Sequence, residues 1–195
     1  MSSVQLPAVH ESESRDRELQ PRLYAMPHLN IEIKARTTER DRIREILKSN
    51  NADFIGVDHQ VDTYFKVHSG RLKIREGNIE NHLIYYDRED RSDPKKSTVM
   101  LYKNNPDSNL KEILTKCLGV LAVVDKYREI YFIENVKFHL DNVGGLGMFV
   151  EIEAIDKDGS IGNEKLLEQC KYYLNLLYIS KEDLIASSYS DLLVR

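Results

Sequence analysis

Acidic side chains at alternate positions mark two distant stretches of this chain. In Phe149-Val150-Glu151-Ile152-Glu153-Ala154, and near the other end in Asn30-Ile31-Glu32-Ile33-Lys34, polar residues alternate with apolar ones. Strand side chains repeat every second residue, so Glu151 and Glu153 share one face, and Asn30, Glu32 and Lys34 share another. Carboxylates gathered in this way are hard oxygen ligands suited to Mg²⁺ or Mn²⁺. Between the two stretches the same period puts cations in phase: Arg71, Lys73 and Arg75; Lys126 with Arg128; Lys137 with His139 and Asp141; Arg88 with Ile84 and Tyr86. A triphosphate carries roughly four negative charges and many acceptor oxygens, the complement of such Arg and Lys groups. Carboxylates, a divalent ion and a cation cradle together are the equipment of phosphoryl transfer. Taken singly, each alternating run is the ordinary solvated face of an edge strand.

The elements carrying these residues follow from the same patterns. A strand over about Leu29 to Arg36 leads to a helix over about Thr38 to Ser49, opened by a Thr38/Asp41 capping box and striped by Ile43, Ile46 and Leu47. Strands follow at about Gln60 to Val67, Arg71 to Arg75 and Asn81 to Arg88, joined by turns at Ser69-Gly70 and Gly77-Asn78. The charged stretch Arg88 to Lys96 predicts a loop, with Lys95-Lys96 there for solubility. A strand over Ser97 to Lys103 precedes a helix that places Leu110, Ile113, Leu114, Cys117 and Leu118 on one face and stops at Gly119. Val120 to Ile133, Val136 to Asp141 and Met148 to Ile155 are extended, with Gly144-Gly145-Leu146-Gly147 a hairpin connection. A helix over Asn163 to Leu177 and a short one capped by Ser180 and Asp183 end the chain. The order β-α-β-β-β-β-α-β-β-β-α predicts an α+β antiparallel design. If its sheet closes, the apolar faces pack under helices and the charged faces line a lumen. His139 reads as a hydrogen-bonded bystander, and Tyr85-Tyr86 and Tyr172-Tyr173 as packing residues.

Composition narrows the setting. The 195 residues suffice for one sizeable domain; 41% are hydrophobic and 31% charged. A net charge of -4 argues against a general nucleic-acid binder. The apolar runs are too short to span a bilayer, and the N-terminus lacks a secretory h-region, so a cytoplasmic protein is expected. The two cysteines, Cys117 and Cys170, read as buried free thiols. Residues 1–27 are polar and aperiodic, a disordered extension with Met26 as an alternative start.

In this order the segments resemble the CYTH superfamily, the triphosphate tunnel metalloenzymes that include class IV adenylyl cyclases and thiamine triphosphatases. The likeness runs from about Leu29 to Leu193. The family's opening Glu-x-Glu-x-Lys matches Asn30 to Lys34. Its basic strand matches Leu72-Lys73-Ile74-Arg75, and its next strand matches Leu83 to Arg88. Its Lys-x-Arg matches Lys126-Tyr127-Arg128, and its closing signature runs from His139-Leu140-Asp141 to Glu153. The resemblance implies an eight-stranded antiparallel closed barrel, a tunnel with flanking helices and a charged lumen, over residues 28–195. It implies divalent metal at Glu32, Glu151 and Glu153, with Asp141 either a further ligand or a support behind the ligands. Lys34, Lys73, Arg75, Arg88, Lys126 and Arg128 would bind phosphate, and Glu151, Glu153 and Arg128 would carry the catalysis. Two positions depart from the family. Asn30 replaces the first Glu, removing a charge but keeping an oxygen. Asp87 stands where a Lys is common, with Arg88 beside it, so that a one-residue bulge would let Arg88 substitute.

The expected function is a metal-dependent enzyme acting on a triphosphate-containing small molecule, nearest the cyclase branch (ATP to cyclic AMP and pyrophosphate). The alternatives are a triphosphatase acting on thiamine triphosphate or tripolyphosphate, a non-catalytic triphosphate- or polyphosphate-binding module, and a structural barrel filled by its own salt bridges. The resemblance also allows a homodimer.

Overall fold

Strict polar/apolar alternation leaves each strand with one face for a core and one for a lumen, and in a computed structural model describing residues 28–88 and 90–194 both are used. The strands are β1 (His28–Arg36), β2 (Asp53–Phe65), β3 (Arg71–Gly77), β4 (His82–Arg88), β5 (Lys95–Lys103), β6 (Val120–Ile133), β7 (Val136–Val143) and β8 (Gly147–Asp156). They form a closed antiparallel barrel in the order β1-β5-β4-β3-β2-β6-β7-β8. The helices are α1 (Arg40–Ser49), α2 (Leu110–Leu118), α3 (Asn163–Leu176) and α4 (Tyr189–Val194). Among the described residues no helix is long and apolar enough to cross a membrane. The expected extension over 1–27 lies outside the described residues.

Register brings the two acidic stretches together: β1 pairs with β8 so that Glu32 faces Glu153 and Lys34 faces Glu151. Their apolar faces, including Ile31, Ile33, Val150 and Ile152, bury outward against Ile43 and Leu47 of α1 and Leu166 and Cys170 of α3. Full burial is worth about 1.5–3 kcal/mol for each large aliphatic side chain, so this core fixes the register that aligns the acids. A second apolar cluster of Tyr64, Val124, Val143, Phe149 and Tyr189 joins lumen-facing residues at one end of the barrel to α4. The C-terminal segment thus plugs that end. Ile185 N–H donates to the Lys34 carbonyl, and Arg71 pairs with Asp191.

Several local expectations are corrected. The Thr38/Asp41 box does not form: helix α1 starts at Arg40, Thr37 Oγ1 accepts from Glu39 N–H at 3.0 Å, and Asp41 pairs with Arg44. Ser180 and Asp183 bound only a 3-10 turn, Lys181–Asp183, without a side-chain cap, and the last helix is α4. Strand β2 begins seven residues early, because a register shift between Phe54 and Gly56 breaks its period. The α2 stripe leaves no residue fully buried, and Cys117 is exposed; only Cys170 is the buried thiol, and both are free.

Candidate active site

The barrel encloses a cavity with about 880 Å³ of space between atoms, its mouth included, lined from all eight strands and from Ser188 and Tyr189 of the plug. Lys34, Lys73, Arg75, Arg88, Arg128 and Lys137 supply cations, and Glu32, Asp62, Glu80, Glu151 and Glu153 supply carboxylates. Every one of these cations is paired. Lys34 Nζ lies 2.8 Å from Glu151. Arg128 donates from Nε to Asp141 at 2.7 Å and from Nη2 to Glu151 at 2.7 Å. Arg75 reaches Asp62 at 2.8 Å and Glu80 at 2.8 Å, Lys137 meets Glu80, and Arg88 donates to Glu32.

Asp62 is the hub of one half. It accepts from Lys73 and Lys126, each at 2.7 Å, as well as from Arg75. Burial alone would raise its pKa, but Arg75, Lys126 and Lys73 together hold it well below the usual carboxylate range. Lys126 pays in the other direction: burial, then Arg75 and Arg128, bring it down to about 7 despite Asp62. Glu80 is placed by the turn before it. Asp58 accepts from the N–H groups of Ile79 at 2.8 Å and Glu80 at 3.0 Å. A Cβ on Gly77 would meet that Asp58 carboxylate at 2.8 Å, which explains the glycine.

The other half holds the metal candidates. A ring nitrogen of His139 and carboxylate oxygens of Glu151 and Glu153 lie within 4.8 Å of one another. His139 Nδ1 is 3.0 Å from Glu151 and 3.6 Å from Glu153. Burial and Arg128 lower the His139 pKa, favouring the neutral ring that a metal requires. Glu151 stays ionised against its burial because Lys34, Arg128 and His139 surround it. Two carboxylates and an imidazole fit Mn²⁺ and, with retained waters, Mg²⁺.

The expected residues divide accordingly. Lys34, Lys73, Arg75, Arg88, Arg128, Glu32, Glu151 and Glu153 line the cavity. Lys126 does not line it and serves Asp62 from behind. Asp141 stands apart from the three-residue cluster, holding Arg128 and accepting from Tyr189 Oη at 2.8 Å. Glu32 lines the cavity but pairs with Arg88 outside that cluster. Arg88 reaches the lumen by the unbroken β4–β5 register, with no bulge, and Asp87 points away. His139 is hydrogen-bonded, to Glu151, as expected, and it also belongs to the candidate metal cluster. Tyr86 packs against the second apolar cluster and also lines the lumen. One reading changes. Lys95 is fully buried, donating to the carbonyls of Arg91 at 3.2 Å, Ile185 at 3.2 Å and Ala186 at 3.0 Å. Asp62, Glu80 and Tyr189 were not singled out by sequence. Asp62 was findable, since it shares its strand face with Tyr64 opposite Lys73 and Arg75.

Residues 28–189 match the CYTH domain family. A protein of Methanocaldococcus jannaschii described as a putative adenylate cyclase is 29% identical over 173 residues, covering 84% of this chain and 98% of that protein. A solved Pyrococcus horikoshii structure gives a TM-score of 0.69 at 24% identity, covering 84% of this chain and 98% of its own. A Hippeastrum structure, described as a putative adenylyl cyclase with a dominant triphosphatase activity, gives a TM-score of 0.53 at 14% identity, covering 86% and 94%. At these identities the two structures speak for the fold.

Proposed function

Because the chain belongs to the CYTH domain family, we propose that it is a divalent-metal-dependent enzyme acting on a triphosphate-containing small molecule, with ATP cyclisation as the leading reaction. One observation carries this: cations from β1, β3, β4, β6 and β7 line the same cavity as the His139–Glu151–Glu153 cluster. A bound triphosphate would replace carboxylates as partner of Lys34, Lys73, Arg75, Arg88 and Arg128, exchanging one set of charge-assisted bonds for another. In cyclisation a ribose 3′-oxygen bonds to the α-phosphorus, the bond from that phosphorus to the bridging oxygen breaks, and pyrophosphate leaves. The hydroxyl proton passes to solvent. Arg75 and Arg128 stabilise the charge growing on the leaving group, prepositioned by Asp62 and Asp141. Glu151, Glu153 and His139 would hold the ion, which when bound would supply Lewis-acid lowering of a hydroxyl's pKa.

Hydrolysis uses the same residues with water attacking the terminal phosphorus, and the description of the Hippeastrum relative keeps it in view. A second reading rests on the complete pairing of the cavity cations: a barrel neutralised by its own salt bridges needs no ligand.

Product analysis decides. The protein is incubated with ATP, thiamine triphosphate or tripolyphosphate, with Mg²⁺ or Mn²⁺. Cyclic AMP with pyrophosphate supports cyclisation, and orthophosphate release supports hydrolysis. Failure to bind tripolyphosphate supports the self-neutralised barrel. Turnover unaffected by both Glu151→Ala and Arg75→Ala would remove the site assignment.

A further inference from the structure

Among the described residues, four cavity-lining side chains keep buried polar atoms without a hydrogen-bond partner: His139, at Nε2 in the candidate metal cluster, and three adjacent side chains on β1, β4 and β5. Asn30 Oδ1, Ser97 Oγ, and Nε and Nη2 of Arg88 are buried with no hydrogen-bond partner. The residues are built in rather than frayed. Asn30 is 5% exposed and Ser97 1%, and the Arg88 side chain is 4% exposed. Ser97 pairs across β5 with Asn30 on one side and with Arg88 on the other. Adjacent strands are about 4.8 Å apart, so the three side chains stand in one row. All three line the cavity. Leaving such groups unmatched costs free energy, which a ligand that satisfies them recovers.

The chemistry of the row is mixed. The enclosed amide oxygen only accepts, the guanidinium only donates, and the hydroxyl does either. Ionised tripolyphosphate offers acceptors alone and leaves Asn30 Oδ1 unmet. A sugar hydroxyl next to a phosphate ester offers a donor and acceptors together. The surroundings agree. Glu32, two residues along β1, faces Glu153 of the metal cluster. In the opposite direction, Val99 and Leu101 of β5 and Ile155, the β8 partner of Asn30, give the cavity wall an apolar margin.

We propose that Asn30, Ser97 and Arg88 form the subsite for the sugar–phosphate ester of a nucleoside triphosphate, with the base against Val99, Leu101 and Ile155. This deepens the triphosphate reading and rests on it. It makes the substrate a nucleotide and gives the Asn30 amide oxygen an acceptor's task toward a sugar hydroxyl.

The test is calorimetric binding of α,β-methylene-ATP and of tripolyphosphate, each with Mg²⁺, to the wild type, Ser97→Ala and Asn30→Ala, with thermal melts to verify folding. Each substitution should weaken the nucleotide about fivefold to tenfold, the size of one lost buried hydrogen bond, and change tripolyphosphate by less than about twofold. With the 2′,3′-dideoxy form of the nucleotide the Asn30→Ala effect should vanish. Equal losses for both ligands, or none for the nucleotide, overturn the subsite. Wild type that binds tripolyphosphate but not the nucleotide also overturns it, leaving the triphosphate reading standing. Wild type that binds neither overturns that reading as well.

Discussion

Tyr189 Oη donates a 2.8 Å hydrogen bond to Asp141, the carboxylate that also fixes Arg128, while Lys34 Nζ lies 3.5 Å from the centre of the Tyr189 ring. One side chain of the C-terminal plug therefore contacts one lumen cation and holds the carboxylate partner of another. Tyr189→Phe keeps the ring and deletes the bond. It should cost about 1 kcal/mol, seen as a melting temperature lower by about 2–4 °C for a domain of this size. Tyr189→Ala also removes the cation–π contact and the packing on Phe149, and should cost clearly more. Equal melting of the two variants would contradict the double role.

Among the described ion pairs, Asp62→Asn removes the one charge that offsets Lys73 and Lys126 and one of the two that offset Arg75. Stripping one partner from a buried ion cluster costs about 3–5 kcal/mol, so the variant should melt far below wild type. An anion in the cavity would take over the lost role. Tripolyphosphate should then raise the melting temperature more in Asp62→Asn than in wild type. Equal or smaller stabilisation would count against an anion site at these cations.

The alternation of Glu32, Glu151, Lys73, Arg75 and Arg128 made the antiparallel strands and most of the lumen face legible, because a two-residue period has only two faces to assign; the eight-stranded closure came from the family resemblance. Partner choice was not legible. Nothing in Lys126-Tyr127-Arg128 tells that Lys126 turns to Asp62 while Arg128 bridges Asp141 and Glu151; that depends on the depth of each strand in the barrel. Lys95 was misread as a solubility residue because its three carbonyl acceptors come from an adjacent loop and from a segment 90 residues away. Tyr189 escaped notice for the same reason: the α4 plug carries no period that distinguishes it from a surface helix.

Stability should depend on pH at both ends of the range. Asp62, Glu80 and Glu151 all have folded-state pKa values below their ordinary values of 3.8 to 4.5, because lumen cations outweigh burial. Their contribution is complete above those values and is lost as pH falls through them. Lys95 and Lys126, by contrast, are brought down by burial to about 7 from 10.5. Between these values the unfolded chain holds protons that the folded chain has released, so stability from these lysines rises with pH. Melting temperatures from pH 3 to 10 should show an acid fall and a rise from 7 towards 10. Lys126→Met should flatten that rise; an unchanged slope would be evidence against the assignment.

The two thiols differ in access. Cys117 is exposed on α2, whereas Cys170 is buried against β1, its Sγ 3.0 Å from the Ile31 carbonyl, and burial pushes its pKa up to about 12. A thiol reagent at pH 8 should modify one equivalent quickly and the second only after denaturation. Cys117→Ser should abolish the fast phase. Two fast equivalents would mean that the α3 packing is looser than its contacts indicate.

Metal binding separates the residues that resemblance grouped together. Glu153 contacts only His139 among the described ion pairs, so it is the cluster member freest to take a cation. Glu151 must first yield Lys34 and Arg128. Asp141 is held by Arg128 and Tyr189 and lies outside the cluster. Mn²⁺ titrations followed by electron paramagnetic resonance read this without any assay of turnover. Glu153→Gln should weaken Mn²⁺ by about tenfold or more, a typical loss when a coordination shell is disturbed, and Asp141→Asn should have a much smaller effect. His139→Ala should cost Mn²⁺ more than Mg²⁺, since imidazole suits the softer ion and magnesium prefers oxygen. If Asp141→Asn proves as damaging as Glu153→Gln, the ion lies deeper than the His139–Glu151–Glu153 triangle, on the Arg128 side of the lumen.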